Sequence, residues 1–172
     1  MTVAERDGVG LVEPTQEDID HVKAAEGHGD FDPDPGEPVG DLIKVPIHRL
    51  LVVDTATGDQ LGLVSWHPAM YGPTIGCLAW NIGIGLLPSA RGRGVGTLAQ
   101  RLLVEHLFAT TPYDRIEAGT DVENIAEQKA LTKAGLRREG VARGAHTRGG
   151  VRCDMVLFGI LRTDLVEPGG SA

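Results

Sequence analysis

The chain has 172 residues, 41% of them apolar, with 24 acidic and 16 basic side chains and a formal net charge of −8. That length suits one domain over residues 1–172 with a core of its own. Net acidity without a basic stripe argues against nucleic acid as the main partner. No apolar run approaches the ~20 residues of a membrane-spanning helix, so no membrane partner is expected.

The first ten residues, MTVAERDGVG, lack a basic region followed by an apolar one, so a cytoplasmic location without a secretory signal is expected. Cys77 and Cys153 stand far apart and are expected to be reduced thiols. Cys and His are not clustered with ligand spacing, so no metal is expected. Residues 1–41 hold twelve acidic and two basic residues, while residues 42–172 hold twelve and fourteen. The acidic segment reads either as a solvated loop or as a device that steers a cationic substrate.

In chain order, VGLVEPTQEDIDHVKAAE reads as a short strand and then a helix, with Thr15 as N-cap and Asp18 in the acidic first turn. Gly27–Asp41 is rich in Gly, Pro and Asp and reads as a long mobile loop. Leu50–Val53 and Leu61–Trp66 form a hairpin around Thr55–Asp59. GCLAWNIGIGLLP is a further strand, ended by Pro88. Thr97–Thr110 is a helix with Leu98, Leu102 and Leu103 near one face. DRIEAGTD is a strand, Asn124–Ala134 a helix stopped by Gly135, and LRREGVARG and VRCDMVLFGILRTDL are the last strands. The tail, residues 166–172, is expected to fray. This order is neither a run of βαβ units nor a β-sandwich, and predicts a mixed α/β fold.

The stretch Arg91-Gly92-Arg93-Gly94-Val95-Gly96 joins a strand to a helix. The first N–H groups of a helix lack internal partners and favour an anion. Glycine lets that anion approach the backbone, and two arginines add charge. The turn therefore reads as a phosphate or pyrophosphate seat. It lacks the lysine of a P-loop, and its partial GxGxxA match lies outside the βαβ unit that a dinucleotide fingerprint requires.

R-x-x-G-x-G in this setting resembles the signature of the GNAT superfamily of acetyl-CoA-dependent N-acetyltransferases. IGLLP before it strengthens the resemblance, as do Asn124 and Lys133-Ala134-Gly135-Leu136 after it. The closing strands are similar to those of the branch acting on ribosomal-protein N-termini and of its small-molecule relatives. The resemblance covers residues 48–165. It implies a central mixed, largely antiparallel sheet with helices on both faces, in which the strand before the glycine turn splays from the strand after the helix. It further implies acetyl-CoA as co-substrate and a primary amine, cationic if the acidic loop takes part, as acceptor. Homodimers are compatible with such a fold.

Carried onto this chain, the resemblance places Ile84, Gly85 and Leu86 along the acetyl and pantetheine end, with the Leu86 N–H polarising the thioester carbonyl. Gly92, Arg93, Gly94, Val95, Gly96 and Thr97 would hold the pyrophosphate, Arg91 would pair with a phosphate, and Asn124 would meet the pantetheine. Asn124 also reads as an N-cap, with Glu127 closing a capping box. The family's tyrosine seven residues after the asparagine is Leu131 here, and its glutamate five residues before it is Gly119. Glu117, Asp121 and Glu127 are the substitute acid and base candidates. Asn81, His67, Trp66 and Tyr71 are candidates for the acceptor side, with Trp80 the safer core residue. Because the tyrosine is missing, an acetyl-CoA-binding sensor with little catalysis is a second reading.

Overall fold

The computed structural model describes residues 1–27, 29–35 and 45–165. Residues 28, 36–41 and 166–172, expected as parts of the mobile loop and the frayed tail, lie outside the described residues. The described elements run β1 (Thr2–Arg6), β2 (Val9–Val12), α1 (Gln16–Glu26), β3 (His48–Asp54), β4 (Gln60–Met70) and β5 (Leu78–Leu86). They continue with α2 (Val95–Thr110), β6 (Arg115–Asp121), α3 (Ile125–Ala134), β7 (Arg137–Arg148) and β8 (Val151–Leu161). The predicted order holds with one correction: the chain opens with a hairpin, not a lone strand. β1 pairs antiparallel with β2 around Asp7-Gly8, both at positive φ (49° and 82°), the requirement of a type I′ turn.

One sheet carries all eight described strands in the order β1-β2-β3-β4-β5-β6-β8-β7. Every neighbouring pair is antiparallel except β5 and β6. Period-two alternation sends Leu50, Val52, Val64, Ile82, Ile116 and Ala118 to the face covered by α2 and α3. Leu51 and Leu63 go to the opposite face, where Val22 of α1 meets them. Helices therefore lie on both faces.

Local chemistry fixes the helix starts. At α1 the Thr15 hydroxyl accepts from Asp18 N–H, and the Asp18 carboxylate accepts from Thr15 N–H at 2.8 Å, a complete capping box. α2 begins at Val95, two residues earlier than expected, with Gly94 as its left-handed N-cap. At the far end of α2 the Arg162 guanidinium donates to the carbonyls of Phe108, Thr111 and Tyr113.

Candidate active site

β5 and β6 are paired only at Trp80↔Ile116 and Asn81↔Glu117. Beyond Asn81 the two strands part, although β5 continues to Leu86 and β6 to Asp121. The register with β4 decides what β5 shows to this fork. Leu87 N–H donates to Leu61 O at 2.9 Å, and the pairing runs without a shift through Gly62↔Leu86 and Val64↔Ile84. In an antiparallel ladder, the pairs next to a hydrogen-bonded pair turn their N–H and C=O outward. Ile84 and Leu86 thus direct backbone groups away from β4 and into the fork. Arg91 uses one of them: its Nε donates to Leu86 O at 2.9 Å.

The glycine turn closes the wide end of the fork. Gly92 and Gly94 have φ of 73° and 82°, a region that favours glycine, and a Cβ at either would meet nothing within 4 Å. The requirement is conformational rather than steric. Leu98 N to Gly94 O, 3.2 Å, is the first bond inside α2. The N–H groups of Val95, Gly96 and Thr97 therefore precede the helical ladder.

A cleft of about 480 Å³ joins these parts. Ile84, Gly85, Leu86, Arg91, Gly92, Gly94, Gly96, Thr97, Asn124 and Glu127 all line it. Two predicted binding residues do not: Val95 is buried in the core, and Arg93 directs its guanidinium to Ser89 O at 3.5 Å. Lys129 and Lys133 of α3 add positive charge on this side. On the other side the cleft is lined by Glu26 at the end of α1 and by Asp30, Phe31 and Asp32. The cleft thus passes between the faces of the sheet, basic at one mouth and acidic at the other.

Asn124 is an N-cap, accepting from Glu127 N–H at 3.1 Å. The reciprocal half of the expected capping box is absent among the described residues. The Glu127 side chain instead faces the buried amide of Gln100, whose Nε2 has no hydrogen-bond partner there. Burial raises the Glu127 carboxyl from 4.5 to about 7, with Gln100 acting weakly in the opposite direction.

The other candidates are held more tightly. Glu117 accepts from the Tyr71 hydroxyl, from Asn81 Nδ2 at 3.3 Å and from Arg115 Nε at 3.3 Å. The Tyr71 hydroxyl is pushed up by that hydrogen bond. Asp121 is fully buried; it accepts from Glu123 N–H at 2.8 Å, lies 3.1 Å from His146 Nε2 and is ion-paired with Arg148 at 3.1 Å. His67 shares the sheet face of Asn81, its partner in register, but does not line the cleft. Trp66 is directed to the opposite face, stacked on His48 at 5.3 Å against the main core, and cannot join Tyr71 in an aromatic wall. Trp80 is packed there too, edge-on to His48 and tilted against Tyr113.

Sequence spacing missed three features. Glu26 lines the cleft though nothing in its helix marks it. Residues 29–35 of the acidic segment are anchored: Asp34 accepts from Gly149 and Gly150 N–H, and Arg148 lies over the Phe31 ring. Asp121, His146 and Cys153 bring potential ligand atoms within 4.8 Å of one another, unlike the unclustered picture from spacing. The Arg148 cation already pairs with the same Asp121 oxygen.

The family model described as "Acetyltransferase (GNAT) domain" matches residues 41–137. The chain belongs to this acetyltransferase family. It is 37% identical over 83 residues to the probable N-acetyltransferase YjcK of Bacillus subtilis, a match spanning 48% of this chain and 46% of that protein. The chain therefore aligns with about half the length of this curated relative. Its fold is similar to that of Mycobacterium smegmatis RimJ in complex with CoA-disulfide, with a TM-score of 0.73, 19% identity, and coverage of 92% of this chain and 84% of that one. It is equally similar to spermidine N-acetyltransferase from Vibrio cholerae in complex with CoA and spermine, with a TM-score of 0.73, 16% identity, and coverage of 91% and 97%.

Proposed function

We propose that this chain moves the acetyl group of acetyl-CoA to a primary amine by direct attack within a ternary complex. The observation that carries the reading is the fork itself. Two strands part beside a helix N-terminus, and one of them turns the backbone N–H groups of Ile84 and Leu86 away from β4 and into the gap. A pantetheine arm, with its two amides, can pair there as an added strand along Ile84–Leu86. The pyrophosphate would rest on N–H groups from Gly92 to Thr97, with Arg91 and the lysines of α3 supplying charge. Asn124 would face the pantetheine.

In this reading the Leu86 N–H stabilises the oxyanion that forms as the amine attacks. Glu127, in its acid form, protonates the departing thiolate. Asp121 and Glu117, each tied to several partners, hold the strands around the fork rather than exchange protons. The acidic mouth supports a cationic acceptor, whether a small polyamine or a peptide N-terminus of the kind that the ribosomal-protein branch uses. Unbridged Cys77 and Cys153 fit a reducing cytoplasm.

Calorimetric titration with acetyl-CoA, with NAD and ATP as controls, tests the cofactor. Micromolar binding of acetyl-CoA alone, followed by amine-dependent release of free thiol, is the expected result. Binding without thiol release would favour a sensor, and no binding would remove the reading.

A further inference from the structure

We propose that Glu26 receives the acceptor's ammonium group and takes its proton, an inference that rests on the acetyl-transfer reading above. Glu26 is the last residue of α1, 59 positions before Gly85 in sequence, yet its carboxylate lies against the Gly85 backbone. A Cβ built on Gly85 would sit 2.1 Å from Glu26 Oε1. The missing side chain is what gives the carboxylate its place.

That place is chemically specific. Ile84 and Leu86 pack toward α2, so residue 85 looks out on the opposite face of the sheet. The co-substrate enters from the α2 side, and Glu26 stands across the strand from it. An amine held by Glu26 would reach the thioester carbon through the fork, next to the Leu86 N–H. The C-terminus of α1 contributes partial negative charge at the same point, which favours a cation. Glu26 accepts no hydrogen bond among the described residues, unlike Glu117 and Asp121.

The charged groups around it are unequal. Asp30 and Asp32 come from residues 29–35, Arg91 from the glycine turn, and Glu127, Lys129 and Lys133 from α3 across the cleft. Burial, then Asp32, raise the Glu26 carboxyl above its usual range, and Arg91 opposes them. A carboxylate so placed is a better base than a free one.

The protons balance. Glu26 takes one proton from R–NH3⁺ and passes it to solvent at the acidic mouth. The free amine forms the C–N bond, and the adduct's nitrogen gives its second proton to Glu26, which sheds it to solvent in turn. The C–S bond breaks, and the sulfur gains a proton from Glu127, which solvent reprotonates. One proton is released per amide formed.

The test compares the full chain with Glu26→Gln and Glu26→Asp, using spermidine, glucosamine and an alanyl-peptide amide as probes. Thermal midpoints and acetyl-CoA affinity should stay near those of wild type, while kcat/KM for the best probe falls about 10²-fold in Glu26→Gln. Wild-type kcat/KM should rise with pH along an acid limb that Glu26→Gln lacks and Glu26→Asp partly keeps. Full activity in Glu26→Gln, an unchanged acid limb, or loss of acetyl-CoA affinity in step with activity would overturn the proposal. A wild type that binds acetyl-CoA but acetylates none of the three amines overturns the acetyl-transfer reading, and this inference with it. A wild type that does not bind acetyl-CoA fails earlier: it overturns the acetyl-transfer reading, and this inference with it.

Discussion

Asn81 and Glu117 are the last residues at which β5 and β6 stay in register, and their side chains are joined there, Nδ2 to Oε1 at 3.3 Å. This pair is the apex of the fork. Arg115 and Tyr71 close on the same carboxylate, and Arg115 is itself held by Glu139 at 2.6 Å. Removing the charge in Glu117→Gln should cost about 1–3 kcal/mol of stability, as for other hydrogen bonds to charged groups. Catalysis by the folded fraction should change little, because the carboxylate is occupied. Urea melts and steady-state thiol release, measured on one preparation, check both parts.

The glycine turn gives a sharper separation of binding from folding. Gly94 is in the left-handed region with open space around its missing side chain. Gly94→Glu should therefore cost only about 1–2 kcal/mol in backbone strain. The same change puts a negative charge on the N-terminus of α2, where the pyrophosphate would lie. Acetyl-CoA affinity should fall by about two orders of magnitude or more, since both the helix-end interaction and the charge turn unfavourable. Calorimetry with a parallel thermal melt measures the two effects. A variant that binds acetyl-CoA as wild type does would place the cofactor elsewhere.

Much of this was legible because turns, caps and periodicity are local. The glycine turn, the Asn124 and Thr15 caps and the order of the later elements all follow from residues within a few positions of each other. The signal for the first hairpin was also local: Asp7-Gly8 marks a type I′ turn, but TVAER carries too little apolar alternation to read as a strand. What stayed hidden depends on register. Trp66 and His67 differ by one residue and so face opposite sides of the sheet, and only the pairing of β4 with β5 shows which side is the cleft. Glu26 meets Gly85 across the fold, and Asp121 meets His146 and Arg148 from a strand two places away in the sheet; no spacing rule reports such contacts.

In the reading proposed above, Asp121 is a buried carboxylate that holds the fold rather than exchanging protons. Its side chain is fully buried and holds the β6–α3 turn, while Arg148 links it to Glu123 and, through Phe31, to residues 29–35. Asp121→Ala would leave the turn without its buried acceptor and the Arg148 guanidinium with Glu123 as its remaining partner. Losing a buried hydrogen-bond acceptor costs about 1–3 kcal/mol. Thermal unfolding should show a drop of several degrees, at about 2–4 °C per kcal/mol for a domain of this size. Asp121→Asn, which keeps the turn acceptor, should lie between the two.

If Glu127 is the acid proposed above, it ties catalysis and stability to the same proton. Burial holds its carboxyl at about 7 in the folded chain, above the ordinary 4.5. The folded state therefore binds a proton that the unfolded state releases. Stability from this group is full below about pH 4.5 and is lost as pH rises through about 7. Glu127→Gln should leave the melting temperature near pH 4.5 almost unchanged. Near pH 8.5 it should raise stability by about 3 kcal/mol, because the variant has no buried charge to form. The acid role gives the opposite sign for activity: wild-type kcat should decline above pH 7, and Glu127→Gln should show a low kcat without that decline. Melts and kcat profiles over the same pH range test the two together. A variant that gains stability at high pH while keeping the wild-type kcat profile would leave Glu127 as a buried carboxyl with no part in the transfer.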